Sequence, residues 1–251
     1  MKEVGDSRTP PIGRASEGSL RYSLMDSLGF DRYGTVYLAV FVFAVLSISL
    51  LLATSSIARL GIIAFYLFGS IPFAYIFTYI YPGRARFSKG TVFFGVSNSF
   101  RIGGYRAGLP TLMMEIFKAI LPFLASFLFF DYDITITLLF VFASLLGTNF
   151  SIFLRFVGGM GTTILMWSVL LLSPITLIVW IILFYLVAKV LYDAYYGALI
   201  NYAILPVLLF LIEGSVEMVI FAIAVAVIFV LKYDRSKDEI GIWYTSRKSK
   251  A

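Results

Sequence analysis

The sequence carries GTNFSIFLRFVGGMGTT at residues 147–163, a polar and glycine-rich stretch that closes an apolar run of membrane-spanning length. Polar groups at membrane depth need partners inside the protein, so such a stretch is costly unless it serves a purpose there. Gly158, Gly159 and Gly161 give a flexible backbone that can bring its N–H groups against an anion. Small residues also allow two helices to pack closely. The spacing alone leaves both interpretations open, anion binding and helix packing.

The composition of the whole chain indicates a membrane protein. Of its 251 residues, 60% are hydrophobic and only 14% are charged, with a mean hydropathy of +0.93, whereas a soluble domain carries about 25% charged residues. Apolar runs long enough to cross a bilayer recur along the chain, which predicts an all-α polytopic membrane protein. Eight spans are predicted, at residues 37–54, 60–80, 109–129, 134–153, 162–173, 175–192, 197–212 and 218–231. The predicted membrane domain, 37–231, lies between a polar tail at 1–36 and a basic tail at 232–251.

Two residue types are missing from the sequence, and this limits the kinds of catalytic and metal sites that the chain can form. The chain has no cysteine and no histidine, which excludes thiol nucleophiles and removes the commonest general base and metal ligand. We therefore predict no metal and no cofactor. The net charge of +6 is explained by membrane topology, so no nucleic-acid partner is predicted.

The distribution of basic residues predicts the orientation. With the N-terminus in the cytoplasm, nearly all Lys and Arg lie inside, while Arg59 lies outside and Lys118 lies within a span. This arrangement satisfies the positive-inside rule. It predicts a multi-pass protein of the plasma membrane with both termini cytoplasmic. The basic, glycine-rich segment at 81–108 and the segment at 147–163 then share the cytoplasmic face.

Two ionisable residues, Glu115 and Lys118, lie three positions apart in the third predicted span and therefore on one helix face. Ionisable groups at membrane depth are expensive unless they are paired or hydrated. They either border a polar cavity or form a structural ion pair. The sequence leaves both interpretations open.

Three motifs, in this order, resemble the membrane-bound glycerol-3-phosphate acyltransferases that use acyl-phosphate donors, the PlsY family. They are FGSIPFAY at 68–75, GTVFFGVSNSFRIGGYRAGLPTLMMEIFKA at 90–119 and GTNFSIFLRFVGGMGTT at 147–163. The resemblance extends from about residue 60 to residue 236. It implies a PlsY-like bundle of seven core spans, to which the segment at 37–54 adds one extra N-terminal span. It also implies acyl transfer from acyl phosphate to the 1-hydroxyl of glycerol 3-phosphate in phospholipid synthesis, with these or related lipid phosphates and membrane lipids as partners.

The resemblance also implies which residues form the site. Arg101 and the backbone of Gly158, Gly159 and Gly161 would hold phosphate. Asn98, with Thr91 or Ser97, would orient the attacking hydroxyl. The other positions implied for substrate or phosphate binding are Gly90, Gly95, Glu115, Lys118 and Thr148.

Several family positions are replaced in this chain. The family's Ser-Gly-Asn becomes Thr91, Val92 and Phe93, and a histidine becomes Thr148. Two lysines beside the glycine pair become Val157 and Met160, and a C-terminal His and Asn fall at Tyr233 and Ser236. These replacements leave the activity open and favour an alternative, a catalytically inactive relative that binds a lipid phosphate or serves as a structural membrane subunit. A small transporter is a third hypothesis, against which the chain shows no evident repeat between its halves.

Overall fold

The computed structural model describes residues 32–53, 55–81, 95–156, 158–191 and 194–233, and all regular secondary structure within these ranges is helical. The helices are α1 (Arg32–Leu52), α2 (Ser56–Ser70), α3 (Phe73–Ile80), α4 (Val96–Phe130), α5 (Ile134–Asn149), a 3-10 turn (Ile152–Leu154), α6 (Thr162–Leu172), α7 (Pro174–Leu191), α8 (Ala194–Glu213) and α9 (Val216–Tyr233).

The apolar helices coincide with the predicted spans. Four segments are long and apolar enough to cross a membrane by length and composition: Ser56–Ile80, Val96–Phe130, Ile134–Leu154 and Pro174–Leu191. Four shorter apolar helices accompany them: Ala39–Leu52, Thr162–Leu172, Gly197–Glu213 and Val216–Val230. The prediction of an all-α polytopic membrane protein is confirmed. That all eight segments cross the bilayer stays a prediction.

The second predicted span, 60–80, is broken rather than continuous. α2 ends at Ser70 and α3 begins at Phe73. Pro72 has no N–H to donate and disfavours helical geometry in the residue before it, and Ile71 is extended, with φ −63° and ψ 118°. The break leaves the last carbonyl groups of α2 without helical partners. They must find partners elsewhere in the protein.

Several predicted boundaries differ from the structure. The predicted loop at 81–108 is helical from Val96 onward, because α4 begins there and is interrupted only at Gly104, whose φ of 64° and ψ of −156° suit glycine. α1 begins at Arg32, inside the predicted polar tail. α9 continues to Tyr233, so Lys232, which was predicted to begin the basic tail, belongs to a helix.

α5 is the central helix. Its span is 72% buried, against 17–33% for the other three long segments. Glycines let α2 approach it closely: a Cβ added to Gly69 would lie 2.2 Å from the carbonyl oxygen of Ser144, and one added to Gly147 would lie 2.2 Å from that of Tyr66. This contact brings the C-terminal end of α5 beside the break after α2.

α1 packs behind the turn that follows α5. The Phe41 ring lies 5.9 Å from the Phe150 ring, edge to face, and the Phe43 ring lies 6.4 Å from the Phe156 ring. Val42 between them is fully buried. The extra N-terminal helix therefore covers the turn that carries the glycine-rich stretch.

Candidate functional site

A polar cavity lies where the break between α2 and α3 meets the C-terminal end of α5. It is small, with enclosed room for about one water molecule. It is lined by residues 69–74 of the break, by Glu115 and Lys118 of α4, by Thr148, Ser151 and Leu154, and by Gly158 and Gly159. All three sequence motifs thus contribute to one wall.

Lys118 is the central side chain of this wall. It is only 1% exposed, and its Nζ donates to the carbonyl oxygen of Ile71 at 2.9 Å, to Glu115 Oε1 at 3.0 Å and to Thr148 Oγ1 at 3.3 Å. Glu115 is 7% exposed. An ammonium has three N–H groups, so each one has an acceptor. Lys118 and Glu115 therefore form a buried ion pair that also lines a cavity, which combines the two interpretations that the sequence left open.

The helix break is what supplies acceptors to this wall. Three consecutive carbonyl groups, of residues 69–71, lie at the end of α2. The carbonyl of Gly69 accepts from the Thr148 hydroxyl at 3.0 Å, that of Ser70 accepts from the Ser151 hydroxyl, and that of Ile71 accepts from Lys118. Side chains from α4, from α5 and from the turn after α5 thus replace the lost helical partners.

The glycine turn at 158–161 packs against the end of α5. A Cβ added to Gly158 would lie 2.1 Å from the carbonyl oxygen of Thr148, so only glycine fits there. Gly161 has φ +67°, a left-handed conformation that precedes the first residue of α6. Close packing therefore accounts for Gly158 and backbone conformation for Gly161. Gly158 and Gly159 nevertheless face the cavity.

A second buried lysine, Lys232 of α9, reaches the glycine turn from the side. It is 8% exposed, and its Nζ donates to the carbonyl oxygens of Asn149 at 2.5 Å, of Gly158 at 3.2 Å and of Gly159. It also lies 5.2 Å from the centre of the Phe150 ring. Sequence reasoning missed this residue because a lysine that ends an apolar run is normally counted as a topology signal.

Five of the sequence-predicted residues line the cavity together: Glu115, Lys118, Thr148, Gly158 and Gly159. Gly161 does not; it lines a second, mostly apolar pocket with Met160 and Tyr202. Gly90 and Thr91 lie outside the described residues.

The remaining predicted residues lie at the start of α4. Ser97 and Arg101 are exposed and Asn98 is half-buried, and none of the three lines the cavity. Gly95 caps the helix, and a Cβ added there would meet no atom of the described residues within 4 Å. These residues therefore give Gly95 no steric need for glycine.

The cavity wall brings together one cation, one carboxylate and hydroxyl groups inside an apolar bundle. Charged groups interact more strongly there than in water, and an ionisable pair at membrane depth that faces a cavity is a functional candidate. An anion could reach Lys118 by taking the place of its longest contact, the one to Thr148 at 3.3 Å. Such an exchange would keep all three ammonium hydrogens bonded.

Comparison with known proteins gives consistent matches. The family model for glycerol-3-phosphate acyltransferase matches residues 59–240, a range that begins after α1. A glycerol-3-phosphate acyltransferase of Lactococcus lactis is 31% identical over 179 residues, which cover 66% of this chain and 83% of that protein. One from Acholeplasma laidlawii is 33% identical over 139 residues, which cover 51% of this chain and 59% of that protein.

The fold is also similar to that of a solved structure. The glycerol 3-phosphate form of PlsY, an integral membrane glycerol 3-phosphate acyltransferase, superimposes with a TM-score of 0.60 at 22% identity. The superposition covers 76% of this chain and 93% of that one. At this level of identity the likeness concerns the fold.

Proposed function

The chain belongs to the glycerol-3-phosphate acyltransferase family, and from that membership we propose that it transfers an acyl group from acyl phosphate to glycerol 3-phosphate at the polar cavity. The observation that carries the proposal is the convergence of Lys118, Glu115 and Thr148 with the glycine turn in one cavity wall. A role as a membrane acyltransferase in phospholipid synthesis is consistent with membership of this family. The donor, the residue roles and the topology are our own assignments.

The proposed reaction joins two phosphate-bearing substrates. The 1-hydroxyl oxygen of glycerol 3-phosphate attacks the carbonyl carbon of acyl phosphate, and the bond from that carbon to the bridging phosphate oxygen breaks. Inorganic phosphate leaves with the bonding electrons and takes up the hydroxyl proton, and lysophosphatidate is formed. Catalysis then consists mainly of holding two anions together and stabilising the developing oxyanion.

Lys118 is assigned to one of the phosphate groups. Its ammonium is fixed by Ile71 and Glu115, so a phosphate oxygen can replace Thr148 without freeing the side chain. Glu115 is the ion-pair partner of this lysine, and its carboxylate can also accept a hydrogen bond from a glycerol hydroxyl. The pair therefore offers one group to each end of glycerol 3-phosphate.

The other sequence-predicted residues keep their proposed roles. The backbone of Gly158 and Gly159 supplies N–H groups to phosphate. Arg101 supplies a second cation, and Asn98 with Ser97 or Thr91 orients the hydroxyl. For Arg101 and Asn98 the proposal is supported by their match to the family motif at residues 90–119. Gly90, Gly95 and Gly161 are assigned to the backbone around the phosphates.

The orientation is proposed from charge. We place the protein in the plasma membrane with both termini cytoplasmic, since the basic residues then lie inside. The cavity would face the compartment in which glycerol 3-phosphate is made. The lysophosphatidate formed there would enter the lipid bilayer directly.

The test is an acyltransferase assay on the purified full chain in detergent. Glycerol 3-phosphate is supplied with either acyl phosphate or acyl-CoA, and lysophosphatidate and released phosphate are quantified by mass spectrometry and colorimetry. We expect product with acyl phosphate, and a roughly 10- to 150-fold loss per folded molecule in Lys118→Met, the equivalent of one charge-assisted contact. Lys189→Met, in the exposed last turn of α7, is the matched control and should keep wild-type activity.

The outcomes separate the parts of the proposal. If product forms with acyl-CoA and not with acyl phosphate, the proposed donor is wrong, while the proposal of acyl transfer to glycerol 3-phosphate stands. If neither donor gives product, the proposal that the protein is an enzyme is wrong. The alternative, an inactive relative that binds a lipid phosphate, then stands. Equal activity in Lys118→Met and Lys189→Met would remove Lys118 from the site.

A further inference from the structure

Lys232 contacts the backbone of the glycine turn without lining the cavity. The cavity is lined by Gly158 and Gly159 but not by Lys232, and yet the lysine Nζ donates to the carbonyl oxygens of both glycines. The contacts of this ammonium are thus with the backbone of the turn and not with the cavity. A cation in such a position acts on the backbone rather than directly on a ligand.

The geometry of the peptide bond determines which way the N–H groups of the turn point. In a planar trans peptide the C=O and the following N–H point to opposite sides. With the carbonyls of Gly158 and Gly159 drawn toward Lys232, the N–H groups of Gly159 and Met160 point away from it. The third carbonyl, that of Asn149, belongs to a peptide whose N–H is already used, because the N–H of Phe150 donates to Leu146 at 2.8 Å.

The contact also strengthens those donors. A carbonyl bound to a cation polarises its peptide, and hydrogen bonds in a chain reinforce one another in an apolar environment. Backbone N–H groups fixed in this way can bind an anion. The two residues beside the glycine pair, Val157 and Met160, carry no charge of their own. Lys232 of α9 supplies a positive charge that contacts the backbone of the turn directly.

We propose that Lys232 is a positioning residue, which holds the carbonyls of Gly158 and Gly159 and so fixes the backbone of the turn with the N–H group of Gly159, a residue that lines the cavity, available to an anion. This inference rests on the proposed function for the identity of the anion, a phosphate group of one substrate. It assigns to the last turn of α9 a part in phosphate binding, although Lys232 does not line the cavity.

The test compares Lys232→Met with Lys232→Gln and Lys189→Met. Met removes every donor, whereas the Gln amide retains two N–H groups without the charge. The KM for each substrate is measured on folded protein recovered by size exclusion. A lysine that only stabilises the fold would reduce the yield of folded protein and leave both KM values unchanged. We expect one KM to rise by about tenfold or more in Lys232→Met and by less in Lys232→Gln, with no change in Lys189→Met.

A second measurement needs no turnover. The Kd for glycerol 3-phosphate is determined by thermal shift with the wild type and the same variants. If the wild type does not transfer acyl groups but binds glycerol 3-phosphate, and Lys232→Met binds it at least about tenfold more weakly, the proposed function fails and the role of Lys232 stands. Wild-type Kd and KM values in Lys232→Met overturn that role, as does a wild type that neither binds glycerol 3-phosphate nor transfers acyl groups. If Lys232→Met does not accumulate, unchanged values in Lys232→Gln overturn it equally.

Discussion

The buried pair of Lys118 and Glu115 leads to a quantitative prediction about stability. Lys118→Met removes the only ion-pair partner that the described residues give Glu115, and it leaves a carboxylate that is 7% exposed. Removing one partner of a buried pair typically costs about 3–5 kcal/mol. The variant also leaves the carbonyl of Ile71 without its lysine donor.

Removing both charges should destabilise the protein less than removing one. In Glu115→Gln/Lys118→Met no charge remains buried, and the residual loss is that of unpaired polar groups, about 1–3 kcal/mol. The double variant should therefore be more stable than Lys118→Met, although it carries more changes. The double-mutant cycle, completed by Glu115→Gln, isolates the coupling between the two side chains.

The assay is thermal unfolding of the purified protein in one detergent. At about 2–4 °C per kcal/mol for a chain of this size, Lys118→Met should lower Tm by roughly 6–20 °C. Lys189→Met should unfold as the wild type does, because its side chain is exposed. If the losses in the two single variants simply add in the double variant, the two side chains are not coupled and the ion-pair argument is wrong.

Two further predictions concern the glycine turn and the start of α4. Gly158→Ala should lower Tm and yield, because its Cβ would lie 2.1 Å from the carbonyl oxygen of Thr148, and overpacking of this kind costs about 1–3 kcal/mol or more. In Gly95→Ala, where no atom of the described residues lies within 4 Å of the added Cβ, Tm should not change. Equal Tm values in the two variants would contradict the packing argument. Arg101→Ala should abolish acyl transfer, whereas Arg106→Ala, exposed on the same helix, should retain it; unchanged transfer in Arg101→Ala would refute the role of Arg101.

The convergence of charged and hydroxyl side chains could be anticipated from the sequence. Lipid offers no hydrogen-bond partner, so Glu115, Lys118 and Thr148 had to turn toward the protein interior. The spacing of Glu115 and Lys118 put them on one helix face, and the structure shows them paired at 3.0 Å. That Thr148 joins them was implied by the family resemblance and not by the spacing, and the structure places it in the same wall.

The break after α2 was missed although Pro72 is visible in the sequence. Apolar residues continue on both sides of it, and apolarity alone predicts one span. Membrane helices tolerate proline when neighbouring groups satisfy the freed carbonyls, so the outcome depended on Lys118 and Ser151, which lie far along the chain.

Lys232 was beyond sequence reasoning for a similar cause. A lysine at the end of α9 satisfies the positive-inside rule equally well whether its side chain points to water or turns into the protein. Its direction is decided by the carbonyl groups of Asn149, Gly158 and Gly159, which only the packed helices bring within reach.

The burial of α5 has a consequence for biogenesis. The side-chain hydroxyls of Thr137, Ser144 and Thr148 donate to residues that precede α5 in the chain, at Asp133, Lys118 and Gly69 respectively. When the ribosome delivers α5 to the bilayer, those acceptors are already there, whereas α6, α8 and α9 have yet to be translated. The nascent protein can thus pair these three hydroxyl groups at once, whereas the carbonyl of Asn149, at the end of α5, receives Lys232 only after α9 is made.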